Sequence, residues 1–255
     1  MSIASLTNKN ILLGVSGSIA AYKAPDIVRR LQDLGAEVRV ILTRGGSQFI
    51  TELSLQVTSK NKVHDNLWDK EAELAMGHIE LAKWADAILI APASANTIAN
   101  LASGKADDLL SSVILASDCP MLIAPAMNQQ MYAANSVQAN LKTLAEHQVL
   151  ILAPESGKQA CGDIGEGRLA KPIDIAKQVG NIFQNTKLSG KQVLITLGQP
   201  LKRLTLLDIY PTIQAARWVQ HSQMLVLKLG TSYLSTWQYQ RYTQSKSTDN
   251  ISHQR

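Results

Sequence analysis

Three short segments carry side chains able to do chemistry near neutral pH. Cys161 stands between an alanine and a glycine, His78 directly follows a glycine, and Asn128 closes the run Pro-Ala-Met-Asn after an apolar stretch. A thiol in a glycine-rich loop is accessible, an imidazole titrates near neutrality, and an amide offers two donors and one acceptor. The three residue types suit proton transfer beside a planar or anionic ligand.

Each of these residues also has a structural interpretation. Asn is favoured at helix N-caps, so Asn128 could simply begin a helix. A lone His such as His78 is more often structural than catalytic, and Cys161 could be an incidental exposed thiol. Cys119, in contrast, stands in a setting that predicts a buried structural cysteine. The residues alone leave both interpretations open.

Two segments of small residues could hold a phosphate. Gly17-Ser18-Ile19 follows the first predicted strand, and Ser94-Ala-Asn-Thr97 follows a later one. Backbone N–H groups and hydroxyls at such strand-to-helix turns bind anions well. Neither the full dinucleotide glycine pattern nor the P-loop lysine is present, which favours a mononucleotide over NAD or ATP. The alternative is a tight turn with an N-cap.

Alternating apolar runs and helical periodicities predict the elements that position these segments. Strands are predicted at residues 10–15, 37–42, 87–91, 121–123 and 149–152. Helices are predicted at 20–34, after Thr43 in a stretch that includes Phe49 and Leu53, and at 97–102, 109–116, 137–146 and 173–183, with a surface loop at 65–76. This alternation predicts a Rossmann-like (flavodoxin-like) doubly wound parallel sheet in three α/β/α layers, with ligands beyond the carboxyl ends of its strands.

Composition and charge exclude several classes of protein. The chain is 45% hydrophobic with few aromatic residues, which suits a buried parallel sheet. Residues 1–190 hold 17 basic and 18 acidic side chains, whereas residues 191–255 hold 8 and 2. The predicted fold is therefore near neutral, and nucleic acid is not expected as a partner.

Cysteine usage and hydropathy narrow the setting further. Two cysteines without metal-type spacing predict neither a disulfide framework nor a metal site. No signal peptide and no apolar run of about 20 residues is found, so we expect no membrane span and a cytoplasmic protein.

Four segments, in order along the chain, resemble the flavin-dependent cysteine decarboxylase family. They are Gly14-Val-Ser-Gly-Ser-Ile-Ala-Ala21, Gly77-His-Ile-Glu80, Ala124-Pro-Ala-Met-Asn-Gln-Gln-Met-Tyr132 and Ala160-Cys-Gly-Asp-Ile-Gly165. The resemblance covers roughly residues 8–198. It is strongest to members that act on 4′-phosphopantothenoylcysteine. In many bacteria these form the N-terminal half of a bifunctional decarboxylase/phosphopantothenate–cysteine ligase of coenzyme A synthesis.

The resemblance implies FMN as the cofactor and assigns roles to particular residues. The implied catalytic residues are His78 in an oxidative step, Asn128 as the amide that holds the substrate carboxylate, and Cys161 as the final proton donor. The implied FMN cradle comprises Gly17, Ser18, Ile19, Thr43, Ser94, Ala95, Asn96 and Thr97. The implied substrate contacts are Asn128, Met127, Met131, Ala160 and Gly162.

The implied reaction is that of a carboxy-lyase. 4′-Phosphopantothenoylcysteine would lose CO2 and give 4′-phosphopantetheine with no net redox change, because a transient oxidation of the cysteine moiety is reversed. Family members are homotrimers, and bifunctional forms assemble trimers into dodecamers. A homotrimer is expected for this chain.

Other functions remain open. A peptidyl-cysteine decarboxylase or a flavin prenyltransferase would share the flavin loop, although the combined His, Asn and Cys motifs argue against the prenyltransferase. From a different class, the chain could be a flavin-binding regulatory or inactive subunit. Such relatives tend to lose the histidine or the cysteine, and this chain keeps both His78 and Cys161. A product whose foreign tail makes it aggregate is a further alternative.

The end of the chain departs from the family. Residues 1–188 are predicted to form the decarboxylase domain and 189–198 the start of a ligase domain, whereas 199–255 match neither. Residues 208–219 can be encoded so that translation from one base earlier gives RYISNHTSGKMG, nearly the family's sequence at this point. We hypothesise that residues 199–255 are out of frame, poorly ordered and without ligase activity. A divergent or engineered tail is the alternative.

Overall fold

The computed structural model describes residues 5–67 and 77–184, and the backbone of two further strands, Gln192–Thr196 and Met224–Lys228. Contacts divide the chain into one unit of Ile3–Gln184 and another formed by Met1–Ser2 with Asn185–Arg255. All the predicted site residues belong to the first unit. Within the described part, no helix is both long and apolar enough to cross a bilayer.

The first unit is built on a six-stranded sheet in which every pairing is parallel. Its strands are β1 (Asn10–Val15), β2 (Glu37–Leu42), β3 (Val63–His64), β4 (Ala87–Ala93), β5 (Met121–Pro125) and β6 (Leu150–Ile151). Their order, β3-β2-β1-β4-β5-β6, is the Rossmann order, and without the two-residue edge strand β3 it is the flavodoxin-like order. The predicted fold class is confirmed.

Helices cover both faces of the sheet and give the predicted three layers. They are α1 (Ala24–Asp33), α2 (Glu52–Ser59), α3 (Gly77–Trp84), α4 (Ala95–Ala102), α5 (Leu109–Leu115), α6 (Gln129–Ala133), α7 (Asn135–Glu146) and α8 (Pro172–Ile182). One core packs α1, α2 and α8 on the sheet, and the other packs α3, α4, α5 and α7. Adjacent strand residues, such as Leu12 and Leu13, point into opposite cores, as the period of two in a strand requires.

Two predicted helices begin differently from the expectation. The helix predicted at 20–34 is a short 3-10 helix, Ile19–Lys23, followed by α1, because Pro25 lacks an N–H group and fits only the first turn of a new helix. After Thr43 a 3-10 turn, Gly46–Gln48, precedes α2, which Thr51 caps. Phe49 lies between these helices, and Leu53 lies within α2.

The sequence did not predict the hairpin that carries Cys161. Strands β7 (Glu155–Lys158) and β8 (Ile164–Arg168) pair antiparallel, and residues 159–163 form its tip. Glycines at 157, 165 and 167 weaken strand propensity and hide the alternation that marks a strand. Of the predicted loop at 65–76, residues 68–76 lie outside the described part.

The second unit contributes one described feature. Its strands β9 (Gln192–Thr196) and β10 (Met224–Lys228) pair antiparallel. The first of them lies in the segment predicted to begin a ligase domain. The predictions for the remainder of residues 185–255 fall outside the described residues.

Candidate functional site

Ser16 joins the two loops of small residues. Its side chain is fully buried, its Oγ donates to the Pro92 carbonyl at 2.8 Å, and the same Oγ accepts from the Ser94 backbone N–H at 2.8 Å. Because β1 and β4 are neighbours at the point where the strand order reverses, the loops that follow them meet there. Ser16 was assigned no role from the sequence, although it lies after an apolar strand and within the Gly14–Ala21 motif.

Glycines allow a third loop to join this group. A Cβ on Gly17 would stand 3.1 Å from the Gly45 backbone, so the two loops pack backbone against backbone. Thr43 fixes the approach, since its hydroxyl donates to the Val15 carbonyl at 3.2 Å and accepts from the Gly46 N–H at 3.2 Å. The Thr43 hydroxyl is therefore already used as a donor within the protein.

A cavity of about 340 Å³ opens between these loops at the switch point. Five of the eight residues predicted to hold the cofactor line it: Gly17, Thr43, Ser94, Asn96 and Thr97. The other three do not: Ser18 caps the 3-10 helix, Ile19 is 58% exposed, and Ala95 begins α4. The volume is within the range of small-ligand pockets.

The chemistry of the cavity wall fits the phosphate end of a mononucleotide. Ser94 caps α4, and its Oγ lies 3.1 Å from the Thr97 hydroxyl. The first turn of α4 therefore presents backbone N–H groups and two hydroxyls at the positive end of the helix. Arg44 adds a positive charge, and it was assigned no role from the sequence. Asp65 and Asp108 add two carboxylates, of which that of Asp108 is used to cap α5.

Asn128 caps a helix with its side-chain oxygen and uses its side-chain nitrogen as a donor to another element. Its Oδ1 accepts from the Gln130 backbone N–H at 2.8 Å, which begins α6. This bond fixes the orientation of the amide, so Nδ2 points away from the helix and towards the β7–β8 hairpin. The structural and the functional interpretation of Asn128 are therefore compatible.

Cys161 meets Asn128 at the tip of the hairpin. The Asn128 Nδ2 donates to the Cys161 Sγ at 3.3 Å and to the Asp163 carboxylate at 3.0 Å. The Cys161 thiol in turn lies 3.4 Å from the same Asp163 Oδ2. The structure thus brings together two of the predicted catalytic residues and adds Asp163, which lies in the Ala160–Gly165 motif and was assigned no role from the sequence.

The base of the hairpin is held by backbone contacts. The Met127 N–H donates to the Gly167 carbonyl at 2.9 Å, and Gly167 has a φ of +135° that favours glycine. At the start of the tip the Gln159 side chain adds a second bridge, because its Oε1 accepts from the Gln129 N–H at 3.0 Å and its Nε2 donates to the Glu166 carbonyl at 3.2 Å.

The other predicted substrate contacts lie around this cluster. Met127 is half-buried, and Met131 is exposed on α6. Ala160 and Gly162 are exposed at the hairpin tip, on either side of Cys161. All four lie within a few residues of the Asn128–Cys161 contact along the chain.

His78 stands apart from the Asn128–Cys161 pair. It is the second residue of α3 and is half-buried. Among the hydrogen bonds and ion pairs of the described residues, none joins His78 to Asn128 or Cys161. It also does not line the cavity.

Lys23 links the first loop region to the hairpin. Its Nζ donates to the Leu169 carbonyl at 3.3 Å, just beyond β8. Burial, together with the nearby Arg168, lowers the pKa of Lys23.

Cys119 is only partly buried, less than the sequence predicted, and burial raises the pKa of its thiol.

The parallel sheet, the small-residue loops and the cavity at the switch point define a nucleotide-binding α/β protein. The chain matches the Flavoprotein family over residues 2–184, and it belongs to that family. The bifunctional coenzyme A biosynthesis protein CoaBC of Escherichia coli (strain K12) is 52% identical over 195 residues, which are 76% of this chain and 48% of that protein. The chain therefore spans about half the length of the curated relatives it matches.

Solved structures give the same assignment. A PPC decarboxylase mutant complexed with pantothenoylaminoethenethiol superposes with a TM-score of 0.60 and 34% identity, over 67% of this chain and 96% of that one. The FMN binding protein AtHal3 superposes with a TM-score of 0.59 and 34% identity, over 69% and 96%.

Proposed function

We propose that this chain is an FMN-dependent decarboxylase that converts 4′-phosphopantothenoylcysteine to 4′-phosphopantetheine in coenzyme A biosynthesis. The single observation that carries the proposal is the contact between the Asn128 amide and the Cys161 thiol at the hairpin tip. The similar PPC decarboxylase and CoaBC proteins support this substrate. The two free cysteines are compatible with a reducing cytoplasm.

The cavity at the switch point is the proposed place for FMN. The cofactor would be held by the Gly17 backbone and by the side chains of Ser94, Asn96 and Thr97. The positive charge of Arg44 would offset part of the negative charge of the cofactor's phosphate. When bound, the flavin supplies a reversible two-electron oxidation of the substrate's cysteine moiety. Ser18, Ile19 and Ala95 are proposed to contact FMN outside the cavity wall.

The chain's own residues orient the substrate and move protons. The Asn128 Nδ2 would hold the carboxylate that leaves as CO2. A neutral amide does this without the full charge stabilisation that would oppose its loss. The exposed Cys161 thiol would deliver the last proton to the product. His78 would act as base or orienting group in the oxidative step. Its contacts would be with groups other than Asn128 and Cys161. Met127, Met131, Ala160 and Gly162 would contact the substrate around that cluster.

CO2 release from 4′-phosphopantothenoylcysteine by the FMN-loaded protein tests the proposal. We expect release by the unchanged chain, and we expect Cys161→Ser to stall at an oxidised, decarboxylated intermediate. Cys119→Ser is the matched control and should retain activity, because Cys119 contacts none of the proposed substrate residues. A flavin-loaded protein that releases no CO2 would favour the regulatory or inactive alternative. Release only from peptides that end in cysteine would favour a peptidyl-cysteine decarboxylase.

We also propose a homotrimer. Ile19 and Tyr22 are 58% and 64% exposed directly beside the loop that follows β1, and such apolar exposure favours contact with another protein surface. Light scattering on the full chain should give the mass of three protomers. A monomer would contradict the assembly without touching the decarboxylase assignment.

A separate proposal concerns residues 199–255. The twelve residues at 208–219 can be read one base earlier to give nearly the ligase sequence of the family, which supports a change of reading frame. Ligase activity is then not expected from this segment. Sequencing the source locus should reveal the shifted frame, and an in-frame gene with no neighbouring ligase reading frame would contradict it.

A further inference from the structure

The Asn128 amide donates to a carboxylate that belongs to the chain itself. Its Nδ2 lies 3.0 Å from the Asp163 Oδ2, with Asp163 at the hairpin tip, 35 positions along the chain. An amide that donates to a side-chain carboxylate is chemically prepared to donate to any other carboxylate of similar geometry. In the proposed function that other carboxylate is the substrate's own.

The Asn128 amide cannot rotate to serve the Asp163 carboxylate and the substrate carboxylate in turn. The Asn128 Oδ1 is held by the Gln130 N–H, so a rotation of the amide would break the cap that begins α6. Only Nδ2 faces the hairpin, and it already contacts the Cys161 Sγ as well. Both hydrogens of Nδ2 are thus engaged, one with Cys161 and one with Asp163. A substrate carboxylate must displace one of these partners, and repulsion between two carboxylates favours the displacement of Asp163.

The Asp163 side chain can leave without unfolding the hairpin. Asp163 is exposed, and its backbone carbonyl accepts from the Gln159 N–H at 2.7 Å whichever way the side chain turns. The hairpin base is fixed separately by the bond from Met127 to Gly167. Displacement is thus a side-chain rotation at the tip.

Displacement also affects the thiol. The Cys161 Sγ lies 3.4 Å from the same Asp163 Oδ2 that accepts from Asn128. When the carboxylate turns away, the amide becomes available to the substrate. The thiol loses the nearer of its two acceptors, since the Gln159 Oε1 lies 3.9 Å from Sγ. One movement therefore prepares both the carboxylate-holding residue and the proposed proton donor.

We propose that Asp163 is a positioning residue whose carboxylate competes with the substrate's carboxylate for the Asn128 amide, so that substrate binding displaces it and releases the Cys161 thiol. This inference rests on the proposed function. The exchange replaces one hydrogen bond by another, and no covalent bond is made or broken. It makes Asp163 a selectivity element, since a ligand that bears a carboxylate at this position can take its place and the decarboxylated counterpart has no carboxylate with which to do so.

Two unreactive ligands that differ only in the carboxylate test the competition. One is 4′-phosphopantothenoylserine, in which a hydroxyl replaces the thiol that is oxidised, and the other is its decarboxylated counterpart, the ethanolamine amide. Calorimetry measures both affinities for the FMN-loaded full chain and for Asp163→Ala. Glu166→Ala is the matched control, because Glu166 is an exposed carboxylate on the same hairpin that does not contact Asn128. It removes the same charge.

We expect Asp163→Ala to bind the serine ligand about three- to tenfold more tightly, since a competing hydrogen bond to a charged group is removed. The ethanolamine ligand should bind as before, and Glu166→Ala should show no such difference between the two ligands. In an Asn128→Ala background, Asp163→Ala should give no gain.

Three results would overturn the competition. They are an unchanged affinity of Asp163→Ala for the serine ligand, an equal gain for both ligands, and the same selective gain in Glu166→Ala. Each of these leaves the proposed function standing, provided that the unchanged chain binds the serine ligand. Failure of every variant to bind either ligand would remove the proposed function, and the competition with it.

Discussion

At the scale of single residues, Asn128 shows how one side chain serves a structural and a chemical purpose at once. Its oxygen caps α6, and its nitrogen faces the hairpin. The cap is what gives the nitrogen a fixed direction, because the two ends of an amide cannot be oriented independently. If capping were the only purpose of this position, Asp or Ser would serve there as well as Asn.

Asn128→Asp separates the two purposes. The Asp side chain can still accept from Gln130, so we expect the unfolding midpoint to change by only a few degrees. Its second oxygen would meet the Asp163 carboxylate and repel the substrate, so we expect decarboxylation to fall roughly tenfold to a hundredfold. Gln130→Glu, an exposed amide-to-carboxylate change on the same helix, should retain activity. An Asn128→Asp variant that stays folded and keeps full activity would contradict the chemical role of the amide.

The two thiols should react differently with pH. Burial raises the pKa of Cys119, so at a given pH a smaller fraction of it is the reactive thiolate. We expect iodoacetamide to label the exposed Cys161 first near neutral pH, and labelling of Cys119 to accelerate only as the pH rises towards its raised pKa. Peptide mass spectrometry at neutral pH and about two pH units higher measures both rates. Faster labelling of Cys119 at neutral pH would contradict this.

At the scale of elements, the β7–β8 hairpin combines a fixed base with a tip held by side chains. Backbone bonding between Met127 and Gly167 fixes the base, whereas the tip contacts Asn128 only through Cys161 and Asp163 side chains. Side-chain hydrogen bonds in exposed positions break more easily than backbone pairing, because water competes for them. The hairpin can therefore present Cys161 to a ligand while it stays attached to the sheet.

Gly167→Ala tests the fixed base. An added Cβ would collide with the Met127 carbonyl oxygen, and the φ of +135° already disfavours any other residue. We expect a loss of about 1–3 kcal/mol in the free energy of unfolding and a marked loss of activity. Gly104→Ala is the control, because its φ is +66° but nothing lies within 4 Å of the added Cβ. It should cost about 1 kcal/mol and leave activity intact. Equal effects of both changes would exclude a special role for the hairpin base.

At the scale of the whole molecule, the strand order decides where the clusters lie. The cavity lies beyond the carboxyl ends of β1, β2 and β4, and the Asn128 cluster follows β5, the neighbour of β4 in the sheet. The Ala126 N–H donates to the Ala93 carbonyl at 3.0 Å, which ties the two adjacent strand ends together. The proposed cofactor region and the proposed substrate region thus follow neighbouring strands at one edge of the sheet.

The unit Ile3–Gln184 contains both hydrophobic cores and every proposed site residue. A variant that ends at Gln184 should therefore bind FMN with an affinity within about twofold of the full chain, since ligand binding reports the folded unit. Fluorescence quenching on FMN titration measures both. A truncated chain that is folded by circular dichroism but binds no FMN would show that residues beyond 184 contribute to the site.

The sequence by itself determined the layers of the fold and singled out the residues of the proposed site. Period-two and helical patterns report which face of an element is buried, and this is a local property that neighbouring residues reveal. Asn128 and Cys161 could be singled out in the same way, because each lies in a distinctive short motif. The observed starts of α1 and α2 differ by a few residues from the predicted ones, because Pro25 and the Thr51 cap each fix where a helix begins.

Only the tertiary structure decided which of these residues meet. Ser16 contacts the Ser94 N–H across 78 positions of sequence, and Asp163 contacts Asn128 across 35. The hairpin that carries Cys161 was also invisible in the sequence, since its glycines remove the strand pattern. Such contacts depend on the order of strands in the sheet and on the direction in which each loop leaves it. A local pattern contains no record of either, because many topologies bury the same faces.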